Sequence, residues 1–268
     1  MMIKLIAIDI DGTLVNSKQQ ITQEVKESIQ EVLQKEIKVV IATGRPLPGV
    51  RHIIDELGIK GNEQYVITYN GGLILSASGN EILKFPIPQK EIDKLNNFSL
   101  ENNVYMQAET INSAVTTHKI IPYWGNFENA LVKLPLHVDL NSIPLNDYFK
   151  VMFIDEEAKL NLIQNKVPKN VTDTVNMIRS TAQNLEFVSP KTSKGDALLA
   201  LTKFLNIDIK DTLAIGDQEN DYSMIENAGI GIAMGNAIQR IKNIADFVTT
   251  SNDENGVANA ITRYILNN

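Results

Sequence analysis

Three stretches of this chain, Leu5–Asp9, Lys38–Ala42 and Tyr65–Thr68, are apolar almost throughout rather than at every second residue. A strand with that pattern is buried on both faces, the condition of parallel strands sandwiched between helices. Helical patterns lie between them. One runs from about Thr22, a good N-cap, to Lys35. The other runs through Gly49–Leu57 and is stopped by Gly58. The order βαβαβ predicts an α/β fold with a doubly wound parallel sheet. The alternation resumes late in the chain. Helix Ser193–Leu205, strand Thr212–Ile215, helix Asp221–Asn227, strand Gly231–Ala233, a short helix after Asn236, strand Phe247–Thr249 and helix Val257–Leu266 follow in turn.

The middle of the chain reads differently. Helix Gln89–Glu101 precedes two alternating segments, Val104–Ala108 and Ser113–Thr117. Strand Lys150–Ile154, helix Glu156–Val167 and segments Asp173–Arg179 and Asn184–Val188 repeat a similar order. Strands in runs with helices gathered to one side predict an α+β unit. The expected organisation is a core of residues 1–82 and 187–268, interrupted by an insertion at 83–186. A length of 268 residues accommodates two such domains.

Composition narrows the function. The net charge of -7 argues against a nucleic-acid partner, which wants a basic face. With no cysteine, disulfides, zinc–thiolate sites and thiol nucleophiles are excluded. No apolar run approaches a membrane span, and Asp9 and Asp11 fall where a leader would need its apolar centre. A cytoplasmic protein without membrane contact is expected. His52, His118 and His137 show no ligand spacing.

The chemistry concentrates after the first strand, at Asp9-Ile10-Asp11-Gly12-Thr13. If the strand continues, residues i and i+2 share a face, so Asp9 and Asp11 point into one volume. Two carboxylates about 4 Å apart repel by roughly 4 kcal/mol at an effective dielectric near 20. A cation between them, or a proton on one, relieves that. Gly12 permits a turn and Thr13 can bond its backbone. Three more segments stand at expected strand ends or helix starts: Thr43-Gly44-Arg45, Ser193-Lys194-Gly195 and Gly216-Asp217-Gln218-Glu219-Asn220-Asp221. The carboxyl ends of strands are where open α/β sheets bind ligands. Asp9, Asp11, Asp217 and Asp221 outnumber Lys194, and a phosphate monoester would add negative charge. A hard divalent cation, Mg²⁺, is therefore expected, held by oxygen donors. Singly, each segment has an ordinary structural explanation: a capped turn, a solvated lysine, a helix N-cap. Their joint order is what points to a site.

These segments resemble the haloacid dehalogenase superfamily, and within it the Cof-type phosphatases with a large inserted α+β cap, type C2B, on a Rossmann-like core. Asp9-x-Asp11-Gly12-Thr13, Thr43-Gly44-Arg45, Lys194-Gly195 and Gly216-Asp217-x-x-Asn220-Asp221 match the four motifs in order, and Tyr69-Asn70-Gly71-Gly72 resembles the stretch that precedes the cap. The resemblance implies a phosphatase acting on a small phosphorylated metabolite: a sugar phosphate, a nucleotide or a phosphorylated cofactor. It implies Asp9 as nucleophile, forming an aspartyl-phosphate, and Asp11 as general acid and base. Mg²⁺ would bind the Asp9 and Asp217 carboxylates and the Asp11 backbone carbonyl. Ile10, Thr43, Gly44, Lys194 and Asn220 would hold the phosphoryl oxygens. Asp221 would orient Lys194 or a metal-bound water, and Arg45 and Asn70 would stand at the mouth of the site. A monomer or weak homodimer is expected. A phosphomutase and a non-catalytic phospho-receiver are the competing readings.

Overall fold

A computed structural model describes residues 2–267. The chain forms two compact units, one of Met1–Gly44, Arg51–Lys84 and Ser193–Asn268, the other of Arg45–Val50 and Phe85–Thr192.

The first unit begins with β1 (Leu5–Ile8), α1 (Gln23–Gln34), β2 (Lys38–Ala42), α2 (Leu47–Glu56), β3 (Tyr65–Thr68) and a hairpin of β4 (Leu73–Ser76) and β5 (Glu81–Lys84). The Thr22 hydroxyl caps α1 by accepting from Val25 N–H. The expected elements are present to within a residue or two at their ends, but the β4–β5 hairpin was not anticipated. It runs antiparallel and extends the sheet past β3.

The insertion contains α3 (Gln89–Glu101), β6 (Tyr105–Glu109), β7 (Ala114–Thr116), α4 (Tyr123–Val132), β8 (Leu136–Val138), β9 (Lys150–Ile154), α5 (Glu157–Ile163), α6 (Lys169–Thr172), β10 (Asn176–Thr181) and β11 (Asn184–Val188). Its six strands order as β10-β11-β9-β6-β7-β8. One face of this sheet is apolar: Met106, Ala108, Val151, Phe153, Leu185 and Phe187 form a core with Ile92, Leu95 and Phe98 of α3 and Leu160 and Ile163 of α5. The other face meets α4. There Trp124 packs against Tyr105, Met152 and Ile154, while Tyr123 is exposed. The expected boundary after residue 186 cuts through β11, which pairs with β9 along its full length to Val188. The unit therefore continues to Thr192.

The chain then returns to the first unit with α7 (Lys194–Leu205), β12 (Thr212–Gly216), α8 (Tyr222–Asn227), β13 (Ile230–Ala233), α9 (Gln239–Ile244), β14 (Phe247–Val248) and α10 (Gly256–Ile261), closed by a π-helical turn at Thr262–Leu266. The eight-stranded sheet orders as β14-β13-β12-β1-β2-β3-β4-β5. Leu5–Ile8 is completely buried, as its unbroken apolar run requires. Leu5 and Ala7 pack with Ala197, Leu198 and Leu201 of α7 and Met224 of α8. Ile6 and Ile8 point to the opposite face. Because β1 has β2 on one side and β12 on the other, the connections leave it in opposite directions. That is the topological switch point, where a crevice opens at the strand's carboxyl end.

Candidate active site

Asp9 directly follows β1, and the chain turns back at once. The Leu14 and Val15 amides donate to the Ile10 carbonyl at 2.9 and 3.1 Å. The strand thus ends at Ile8, and period-two alternation does not carry through to Asp11 as expected. The Asp9 side chain is buried and the Asp11 side chain is exposed. The carboxylates that crowd Asp9 are Asp217, from the end of β12, and Asp221, from the turn before α8. Oxygens of these three buried groups lie within 4.8 Å of one another.

Lys194, in the first turn of α7, is wholly buried and reaches into this cluster. Its Nζ donates to Asp9 Oδ1 at 2.5 Å and to Asp221 Oδ1 at 2.7 Å. Burial alone would lower the lysine's pKa, but Asp221 and Asp9 outweigh it and hold the ammonium charged. One lysine does not offset three acids. Burial, then repulsion from Asp221, pushes Asp9 up to about 8 even with Lys194 pulling the other way. The same two causes bring Asp217 to about 6.

Local structure holds each acid in place. Asp221 Oδ2 accepts from the Asp217 and Gln218 amides at 2.9 and 3.0 Å, closing the turn after β12. Gly216 is required there, because a Cβ would fall 2.5 Å from Asp221 Cγ. Thr13 was expected to brace its own turn; instead its hydroxyl donates to Asp217 Oδ1 at 3.0 Å. Gly12, at φ +78°, passes so close that a Cβ would lie 2.5 Å from Asp217 Oδ2. Sequence reasoning also missed Gln218, whose amide donates to Asp217 Oδ2 at 3.1 Å. Asn236, which donates to the Gly12 carbonyl at 2.8 Å, was missed too. Gln218 is the chain neighbour of Asp217 and stands inside a segment already singled out, whereas Asn236 carries no local sequence signal, since its bond joins loops far apart in sequence.

Of the remaining expected residues, Thr43 is buried at the end of β2, its amide donating to Ile67 O and its carbonyl accepting from Asn70 N–H. Asn70 adopts a left-handed conformation at φ 53° and accepts from the exposed Asn220 side chain at 3.1 Å. Arg45 groups with the second unit, although its neighbour Gly44 belongs to the first.

The arrangement is a buried, oxygen-only cluster with surplus negative charge at the switch point of a doubly wound sheet. That donor set fits a hard divalent cation. Residues 6–261 match the family model of haloacid dehalogenase-like hydrolases. The chain belongs to that family.

Among its haloacid dehalogenase-like relatives, YxeH of Bacillus subtilis is 36% identical over 99% of each chain. The B. subtilis phosphatase YwpJ is 33% identical, covering 95% of this chain and 97% of its own. A crystal structure of a haloacid dehalogenase-like hydrolase from Bacteroides thetaiotaomicron superposes with a TM-score of 0.88 at 32% identity, over 97% of this chain and 99% of that one. The chain is accordingly a phosphatase-type enzyme with the mixed α/β core of its family. No helix among the described residues is long and apolar enough to cross a membrane.

Proposed function

We propose that this enzyme is a Mg²⁺-dependent phosphatase that hydrolyses a small phosphomonoester through an aspartyl-phosphate on Asp9. The observation that carries the reading is the buried Asp9–Asp217–Asp221 cluster with Lys194 driven into it. A fold that only needed stability would not bury three carboxylates on one lysine.

In this reading Asp9 attacks phosphorus in line and holds the phosphoryl group covalently while the leaving oxygen departs. Asp11, on the exposed side of the turn, protonates that oxygen and then takes a proton from the hydrolytic water. Lys194 faces Asp9 and supplies positive charge to the phosphoryl oxygens, with Asp221 fixing its direction. Thr43, Asn220 and the Ile10 and Gly44 amides complete the phosphoryl-binding set. Asp9, Asp217 and the Asp11 carbonyl would hold Mg²⁺, which when bound lowers the charge that the nucleophile must approach and keeps Asp9 ionised. Thr13 and Gln218 orient Asp217 for that task.

A small-molecule substrate agrees with the phosphatase relatives. One, YcsE of B. subtilis, 31% identical over 98% of this chain, is a 5-amino-6-(5-phospho-D-ribitylamino)uracil phosphatase. The test is turnover of p-nitrophenyl phosphate. Asp9→Asn is expected to abolish it with the circular dichroism spectrum intact, and a chelator to silence the wild type until Mg²⁺ is restored. Retained activity in Asp9→Asn would remove Asp9 as nucleophile, and full activity in chelator would remove the metal.

A further inference from the structure

The loop that follows β13 meets the catalytic end of the first unit at several points. The Met234 amide donates to Gly216 O and the Ile238 amide to Asp217 O, each at 3.0 Å. Between them the Asn236 side chain reaches the other half of the site, its Nδ2 donating to the Gly12 carbonyl at 2.8 Å. One loop thus grips both the main chain that bears Asp217 and the turn that bears Asp11.

Asn236 is itself held. Its Oδ1 accepts from the Asn252 amide at 3.0 Å, and the Asn252 side chain donates to Val15 O at 2.9 Å, at the far end of the same turn. A carbonyl on one side and an N–H on the other leave the Asn236 amide a single orientation. Gly235 lets the two loops meet: its amide donates to Thr250 O at 3.0 Å, and a Cβ there would fall 2.7 Å from Ser251 N. The turn has a use for an outside hold. The Thr13, Leu14 and Val15 amides all converge on Ile10 O, which leaves the Gly12 carbonyl to be fixed from elsewhere. Gly12 stands at φ +78° and has no side chain of its own to resist rotation of that peptide. Asp11 immediately precedes it, so the direction of the exposed Asp11 side chain follows from how the turn is pinned.

We propose that Asn236 is a positioning residue: by clamping the Gly12 carbonyl it holds the turn so that Asp11 meets the leaving-group oxygen as the aspartyl-phosphate forms. The inference rests on the phosphatase reading. Asn236 acts through Asp11, so its loss is felt only where the departing group needs a proton. A misplacement of about 1 Å can cost about 100-fold, and a turn freed at one of its holds is expected to lose about tenfold.

The test uses the whole chain with saturating Mg²⁺ and follows single-turnover release of the alcohol from an alkyl phosphate and of acetate from acetyl phosphate. Asn236→Ala, at an exposed position, is expected to slow alcohol release about tenfold and to change acetate release by less than about twofold, since acetate departs without a proton. In an Asp11→Asn background the same substitution is expected to add nothing, because the group it positions is already gone. Asn236→Asp has the same shape and keeps the acceptor for the Asn252 amide but not the donor to Gly12. It is expected to show the same split between substrates, and it decides the matter if Asn236→Ala does not fold. Equal slowing on both substrates, or a loss that persists undiminished in Asp11→Asn, would mark a general structural role and overturn the inference. Unchanged alcohol release would overturn it as well. A wild type that hydrolyses neither substrate would instead defeat the phosphatase reading, and the inference with it.

Discussion

Lys194→Met is the most revealing substitution because the lysine is fully buried and its only described ion pairs are inside the site. Methionine keeps the length of the side chain and removes the charge. At 2.5 and 2.7 Å, each contact with Asp9 and Asp221 corresponds to about 6 kcal/mol of Coulomb attraction at an effective dielectric of 20. Most of that is offset by the cost of burying the three charges. What remains on removing one partner is an uncompensated buried charge, and the expected loss is about 3–5 kcal/mol. The pH dependence has a definite sign. Asp9 stands near 8 in the folded chain against an ordinary 3.8, so between those values the folded state keeps a proton that the unfolded state has released. Stability from this group therefore falls as pH rises from about 4 to about 8. Without Lys194, which lowers the Asp9 pKa, that fall keeps the same slope but continues above pH 8. The Asp9 contribution to the gap between variant and wild type should therefore be constant below about pH 7 and widen above pH 8. Urea unfolding followed by hydrogen exchange at the β1 and β12 amides would measure it, with Mg²⁺ expected to recover part of the loss at pH 8. A gap below about 1 kcal/mol at pH 9, no wider than at pH 5, would refute the electrostatic account.

Other substitutions probe the supports of the same site. Gly216→Ala would place a Cβ 2.5 Å from Asp221 Cγ, displacing the carboxylate from the Asp217 and Gln218 amides, and should lower kcat/KM by more than about tenfold. Thr13→Val removes the hydroxyl that holds Asp217 below where burial would otherwise take it, so the activation midpoint for Mg²⁺ should rise about 10–100-fold, most steeply below pH 6. An unchanged midpoint in a Mg²⁺ titration would dismiss the Thr13 bond as incidental. Asp11→Asn should slow single-turnover release of the alcohol from an alkyl phosphate about 100-fold while sparing release of acetate from acetyl phosphate, whose leaving group needs no proton. Equal losses of this first step on both substrates would take the acid role away from Asp11.

How legible the molecule was depends on where each residue's partners lie. The first-unit strands could be read because Leu5–Ile8 and Lys38–Ala42 are buried on both faces and say so residue by residue. The site segments could be read because each sits at the end of such a strand or at the start of a helix. The β4–β5 hairpin escaped because Leu73–Ser76 is buried at every position, so it shows no antiparallel alternation. The helix at Tyr123–Val132 escaped because it carries a glycine in its first turn and leaves Tyr123, Phe127 and Leu131 exposed. The polar face of the second sheet was invisible for a different reason. Tyr105, Gln107 and Glu109 alternate with apolar residues, the pattern of a strand with one wet face, yet all three are buried. Carrying the alternation of β1 to Asp11 runs three residues past Ile8, where the strand ends.

The order of strands in the first sheet bears on how the enzyme comes into being. Asp9, Thr13 and Thr43 are made early, whereas Lys194, Asp217 and Asp221 are all made after the insertion. Until β12 emerges, β1 is an open edge next to an acid that has neither its lysine nor its companions. Long-range parallel pairing of this kind closes slowly and leaves apolar strand edges uncovered meanwhile. The insertion, by contrast, has its sheet and core within residues 85–192 and is complete before that last segment is synthesised. A nascent chain thus carries a finished second unit on an unfinished first one, and reactivity arrives only with the final seventy-odd residues. Truncation between the insertion and Asp221 should yield a chain dependent on chaperones and devoid of phosphatase activity.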